Sequence, residues 1–207
     1  LSGCTLSFAY DGVGAHAGKV FFSTAAHCVT GVGQVLSSEG FPNFGTVVFQ
    51  GDPDSTIRDF ALIEVAPAFH SAVTGEVRGH PGVPVGVATP ADTAPGDLVR
   101  MSGWGLAFTQ TEVTREQRVG YLLNHETDII QFIGPVVQGD SGGPWFTDDG
   151  LALGIASKIS FSIPPGVIGV ENAMPYWTDF IRDEGPTIQN FLVDAAAHGF
   201  TIQLRTA

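Results

Sequence analysis

Apolar and polar residues alternate along this chain in short runs, each closed within a few positions by Gly, Pro, Asn or Asp, and that period-two pattern predicts strands. Residues 5–10, Thr-Leu-Ser-Phe-Ala-Tyr, read as a half-buried strand. Asp11-Gly12, with Gly14 and Gly18 behind it, marks a turn, and residues 19–24, with their Val-Phe-Phe centre, read as the returning arm of a hairpin. Gly31, Gly33, Gly40, Pro42 and Gly45 break the next stretch into pieces, of which 45–49 is the best strand. After a loop at 51–55, residues 56–65 run from a polar lead into an apolar strand that ends before Pro67, with Asp59 at its mouth.

Residues 79–97 hold Pro81, Pro84, Pro90 and Pro95 among several glycines, a linker composition that predicts a boundary between two lobes. Strands are predicted beyond it at 98–102, 120–123, 129–133, 144–146, 151–157 and 167–170. Helical spacing appears only near the end, at 176–183 and at 187–198, the second stopped by Gly199 and followed by a strand at 200–204. The pattern therefore predicts an all-β protein, barrel or sandwich, with lobes at 1–90 and 91–175 and a C-terminal helix and extension at 176–207.

Composition narrows the function classes. With 207 residues, 43% of them hydrophobic and 14% charged, the chain is long and apolar enough for an ordered core. A net charge of −12 repels phosphate backbones and anionic lipid, so neither nucleic acid nor a membrane surface is an expected partner. No apolar run approaches the length that spans a bilayer, and the chain opens at Leu1 with neither an initiator Met nor a leader, as expected of a processed product. The two cysteines, Cys4 and Cys28, fit one disulfide in an exported protein or two buried thiols. Histidines 16, 70, 80, 125 and 198 show no metal-ligand spacing, and Asp148-Asp149 reads as a hairpin turn rather than a calcium site, so no metal or other cofactor is expected.

The candidate chemistry lies in Gln138-Gly139-Asp140-Ser141-Gly142-Gly143-Pro144. A serine between glycines on a tight turn can present its hydroxyl while neighbouring backbone N–H groups converge on one point, as acyl transfer requires, although Gly, Asp and Ser also make ordinary solvated turns. Far upstream, Thr24-Ala25-Ala26-His27-Cys28 ends one predicted strand and Asp59-Phe60-Ala61-Leu62-Ile63 begins another. Taken singly, His27 reads as a structural histidine and Asp59 as a strand-end cap.

Together the three segments resemble the signature segments of the chymotrypsin-like serine proteases, and Ser102-Gly103-Trp104-Gly105 resembles a further segment of that family. The resemblance runs from about residue 4 to about residue 180 and is greatest toward the compact secreted bacterial members. It implies two antiparallel Greek-key barrels of six strands each with the active site in the cleft between them. It also implies a triad of Ser141 as nucleophile, His27 as base and Asp59 as orienting acid, with the amides of Gly139 and Ser141 as oxyanion hole. The implied partners are a polypeptide substrate and protein-type protease inhibitors, and the implied form is a secreted monomer.

The same resemblance places Ser157 against Asp59, and puts Pro135, Val136, Gln138, Ser157, Lys158 and Ile159 around the substrate. Lys158 and Ile159 stand where the family usually has an aromatic residue and a glycine. Pro135 stands where trypsin-like members carry the aspartate that receives Lys or Arg. The expectation is therefore cleavage after small to medium apolar residues, with Ile159 narrowing the pocket. Asp140 would be buried and need a cation, for which Arg100, on the first strand of the second lobe, is the expected partner; the alternative is an amino-terminal strand beyond this chain. A catalytically latent or non-hydrolytic binding protein on the same scaffold is the competing functional reading.

Overall fold

The computed structural model describes residues 3–38, 40–77, 82–105, 118–134, 136–160 and 181–206. The predicted strand at 167–170, the predicted helix through residue 180 and Pro135 lie outside them.

The first sheet has six strands in the order β14-β1-β2-β5-β4-β3. Its members are β1 (Ala9–Gly12), β2 (Val20–Thr24), β3 (Val35–Ser38), β4 (Phe41–Gln50), β5 (Ala61–Val65) and β14 (Ile202–Leu204), all paired antiparallel. The β1–β2 hairpin forms where Asp11-Gly12 predicts it, with Gly12 N–H donating to Lys19 O at 2.9 Å. Residues 5–8, predicted as strand, hold only part of the ladder, through Ser7 N–H to Ser23 O and Ser23 N–H to Phe8 O.

The second sheet runs β12-β13-β9-β8-β7-β10-β11-β6. It comprises β6 (Gly86–Val87), β7 (Leu98–Met101), β8 (Arg118–His125), β9 (Ile129–Gly134), β10 (Pro144–Thr147), β11 (Leu151–Ile155), β12 (Lys158–Ser160) and β13 (Ile181–Pro186). The two sheets form the expected double barrel; among the described residues the second has eight strands rather than six, and the two-residue β6 pairs parallel to β11 because the linker runs alongside it before entering the lobe.

The tail differs most from its sequence reading. Residues 181–183, predicted as helix, belong to β13, which pairs along its whole length with β9. The predicted helix at 187–198 is present as α1 (Ile188–Ala197), with the Thr187 hydroxyl accepting from Asn190 N–H as its cap. α1 buries Phe191 against Tyr10 and Phe60, and β14 adds itself to β1 at the edge of the first sheet. The largest core cluster is this seam: Phe8, Tyr10, Phe21, Phe60 and Leu62 from the first lobe meet Phe146 and Ile155 from the second, with Ile188 and Phe191 between them. Smaller clusters fill the first lobe around Leu36, Val47 and Ile63 and the second around Met101, Phe132, Trp145 and Leu153.

Asp183 is fully buried on β13. One carboxyl oxygen accepts the Glu184 N–H at 2.9 Å, and the other has no hydrogen-bond partner among the described residues. Burial pushes its pKa well above the usual carboxylate range, opposed by that amide and by the Trp145 indole N–H and reinforced by the charges of Asp140 and Glu184. The folded protein therefore holds a proton that the unfolded chain releases above its ordinary value of 3.8. The resulting penalty is absent below that value and grows as pH rises toward the folded pKa, by up to about 1.4 kcal/mol per pH unit. Asp183→Asn should remove this slope, so urea midpoints measured at pH 5 and pH 8 should converge in the variant relative to the parent.

Candidate active site

The strand β2 ends at Thr24, and the chain makes one tight helical turn at Ala26–Cys28 that carries His27. Gln50 braces this turn from β4, its amide donating to Ala26 O at 2.9 Å and Val29 O at 3.2 Å. Asp59, immediately before β5, is fully buried. It accepts the His27 backbone N–H at 2.9 Å on one oxygen; on the other it meets His27 Nδ1 at 2.6 Å and accepts the Ser157 hydroxyl at 2.5 Å. A carboxylate can only accept, so the imidazole carries its proton on Nδ1 and leaves the Nε2 lone pair for another group. The side chain is 35% exposed.

Ser141 comes from the turn before β10. Its carbonyl accepts the Thr5 N–H at 2.8 Å and lies 3.6 Å from Cys28 Sγ, so its backbone rests against the residue that follows His27. Cys4 and Cys28 form a disulfide, which ties the segment ahead of Thr5 to the His27 turn. Closing this 24-residue separation stabilises the fold by roughly 3 kcal/mol on the chain-entropy model. His27, Cys4 and Cys28 cluster within 4.8 Å, yet bridged sulfurs offer no thiolate, so the cluster is not a metal site.

The loop ahead of Ser141 is shaped by Asp140, which is also fully buried. One of its oxygens accepts Gly105 N–H at 2.8 Å and Arg118 Nη2 at 2.5 Å; the other accepts Val137 N–H at 2.8 Å and Arg118 Nη1. Arg118 is only 4% exposed. The expected Arg100–Asp140 pair is therefore incorrect. Along β7, Val99 and Met101 face the core and Arg100 faces away, toward Asp148 at 2.6 Å on the β10–β11 turn. Arg118, opposite Met101 on β8, shares the inward face with Leu122. It was missed because the predicted strand began at residue 120; carrying the in-out alternation back by two would have placed it inside.

Glycine is required at two places here. Gly139 has φ +102°, and a Cβ there would sit 2.8 Å from Gly105 Cα. Side chains on Gly103 or Gly105 would overlap the Asp140 carboxylate, which accounts for the Ser102-Gly103-Trp104-Gly105 text. With the loop held so, the amides of Gly139 and Ser141 donate to no protein acceptor among the described residues, while those of Gly142 and Gly143 are bonded to Ala156 O and Asp140 O.

Of the predicted substrate-lining residues, Val136 is buried in the second-lobe core, and Ile159 packs against the same cluster. Gln138 is exposed at the loop surface, and Ser157 is buried beneath Asp59. Lys158 is half-buried, and its ammonium donates to Asp54 O of the first lobe at 2.5 Å.

Two barrels that meet at a histidine held on a buried carboxylate and at a glycine-shaped serine turn define the serine protease class of hydrolases. The family model described as Trypsin matches residues 4–181, and the chain belongs to the trypsin family. No curated protein sequence matches it. Among solved structures, Thermobifida fusca protease A superposes with TM-score 0.64 at 21% identity, covering 99% of this chain and 92% of that one. Nocardiopsis protease gives TM-score 0.64 at 17% identity over 99% and 94%. Cellulomonas bogoriensis chymotrypsin gives 0.62 at 18% over 100% and 92%. These likenesses are of fold.

Removing Arg118 leaves a buried, unpaired carboxylate, whereas Arg100 and Asp148 are partly solvated. Arg118→Met should lower stability by about 3–5 kcal/mol in urea unfolding. Arg100→Met should change it by less than about 1 kcal/mol. Equal losses would mean that Asp140 is neutralised in some other way.

Proposed function

We propose that this protein is a secreted serine endopeptidase that cleaves polypeptides through an acyl-enzyme. The observation that carries the reading is the conjunction of an imidazole fixed on a buried carboxylate with two uncommitted amides flanking Asp140 in the serine turn. Ser141 Oγ attacks the scissile carbonyl as His27 Nε2 takes its proton. The amides of Gly139 and Ser141 receive the developing oxyanion, each contributing about 3 kcal/mol at the transition state. His27 then returns the proton to the leaving amine, and water, activated by the same imidazole, releases the acyl group. Asp59 keeps the proton on Nδ1 and stabilises the imidazolium, with Ser157 and the His27 amide holding the carboxylate in place.

The packing of Ile159 against the second-lobe cluster that includes Val136 supports a shallow primary pocket that takes small to medium apolar side chains. The disulfide supports export, and no helix among the described residues is long and apolar enough to cross a membrane. Neutralisation of Asp140 by Arg118 from within the chain favours a competent enzyme over a latent or purely binding form, because the loop needs no further partner to hold its shape.

A fluorophosphonate probe should label the protein covalently, and Ser141→Ala should abolish labelling; a folded parent that does not label is a binder. His27→Ala should lower kcat by at least about 10⁴-fold with little change in thermal stability. A loss below tenfold in steady-state peptide hydrolysis would assign the base elsewhere.

A further inference from the structure

The chain has nine lysines and arginines against twenty-one aspartates and glutamates. Arg78 and Arg115 lie outside the described residues. Of the seven others, six have a carboxylate within 4.0 Å: Lys19 with Glu64, Arg58 with Asp194, Arg100 with Asp148, Arg118 with Asp140, Arg182 with Glu184 and Arg205 with Asp11. Lys158 alone among them has none. Its ammonium touches a single backbone carbonyl, Asp54 O. In so acidic a molecule an unpaired cation is an unusual feature, and this one follows directly on Ser157, which bonds Asp59.

Its position relates it to substrate. Among the described strands β12 is the edge of the second sheet, paired on one side to β13. This edge follows on Ala156, whose carbonyl accepts the Gly142 N–H of the serine turn, and such an edge is where an extended peptide adds as a further strand. Side chains alternate along such a strand. Ile159 faces the second-lobe core, whereas Lys158 crosses toward the first lobe. A bound peptide obeys the same alternation. If the residue whose carbonyl is attacked turns toward Ile159 and Val136, the residue before it turns to the side on which the Lys158 ammonium lies. A carbonyl there takes one of three ammonium N–H donors, leaving two for a ligand.

Resting on the protease reading above, we propose that Lys158 is a specificity determinant that selects peptides carrying Asp or Glu immediately before the residue whose carbonyl is attacked. The natural substrates are then polypeptides with an acidic residue followed by a small or medium apolar one. The ion pair forms at the rim of the cleft, so it acts at low ionic strength and weakens as salt screens it.

The test uses matched peptides that differ only at that position, Glu, Gln or Lys, and compares kcat/KM within each enzyme, so that the ratio is independent of the active fraction. The parent should prefer Glu over Gln by about fivefold in low salt, with the preference shrinking in 0.5 M NaCl, an ionic strength at which the Debye length falls to a few ångströms. Lys158→Met should bring the ratio close to one, and Lys158→Glu should make the Lys peptide the best of the three. Hydrolysis with no charge preference in the parent, or a preference unmoved by either variant, overturns this inference and leaves the protease reading standing. Failure to cleave any peptide, together with failure of Ser141 to label, overturns both.

Discussion

The serine turn depends on a carboxylate that water cannot reach. Asp140 lies between the two residues whose amides remain available, and four donors from three segments hold it: Val137 within its own loop, Gly105 after β7, and both terminal nitrogens of Arg118 on β8. Burying a charge without such partners is costly enough to force the loop into another shape. With them, the geometry at Gly139 and Ser141 follows from the position of Asp140. The glycines at 103 and 105 are the steric counterpart, because only residues without side chains let the neighbouring backbone approach that carboxylate.

His27 and Asp59 are held by a different means, the packing of the seam. The loop that leads into Asp59 is fixed from three sides: Asn190 of α1 donates to Ile57 O at 2.6 Å, Arg58 meets Asp194 of α1 at 3.3 Å, and Lys158 reaches Asp54 O. α1 is anchored in turn by Phe191 against Tyr10 and Phe60, the last of these adjacent to Asp59. The C-terminal segment, though distant in sequence from any catalytic candidate, is therefore the floor on which His27 and Asp59 stand. Its strand β14, tied to Asp11 through Arg205, closes the arrangement at the sheet edge.

Much of this was legible in the sequence. The β1–β2 hairpin, the strand entered at Asp59, the capped helix at 188–197 and the grouping of His27 with Asp59 and Ser157 all follow from alternation, turn residues and family-like text. What was not legible has a common cause. Arg118 and Asp183 both occupy inward positions on strands where the pattern calls for apolar residues, so the alternation starts β8 at residue 120 and reads 181–183 as helix. Chain position points to Arg100 for Asp140, but Arg100, lying between inward Val99 and Met101, presents the opposite face. Period-two reasoning misleads where a buried charge replaces an apolar side chain, and such sites are where a fold departs from local rules for a reason.

The three fully buried aspartates among the described residues differ in what surrounds them, and that difference sets what each can do. Asp59 receives two hydrogen bonds from outside the imidazole and one contact from it, so it holds the ring by Nδ1. Asp140 receives a guanidinium along with two amides, and its negative charge is matched within the core. Asp183 receives one amide, and burial favours its neutral form. Identical side chains at identical exposure thus come to hold an imidazole, to pair with a guanidinium and to favour the neutral form, according to the donors and charges around each. A substitution that alters those donors should change the behaviour of the carboxyl before it changes the path of the backbone.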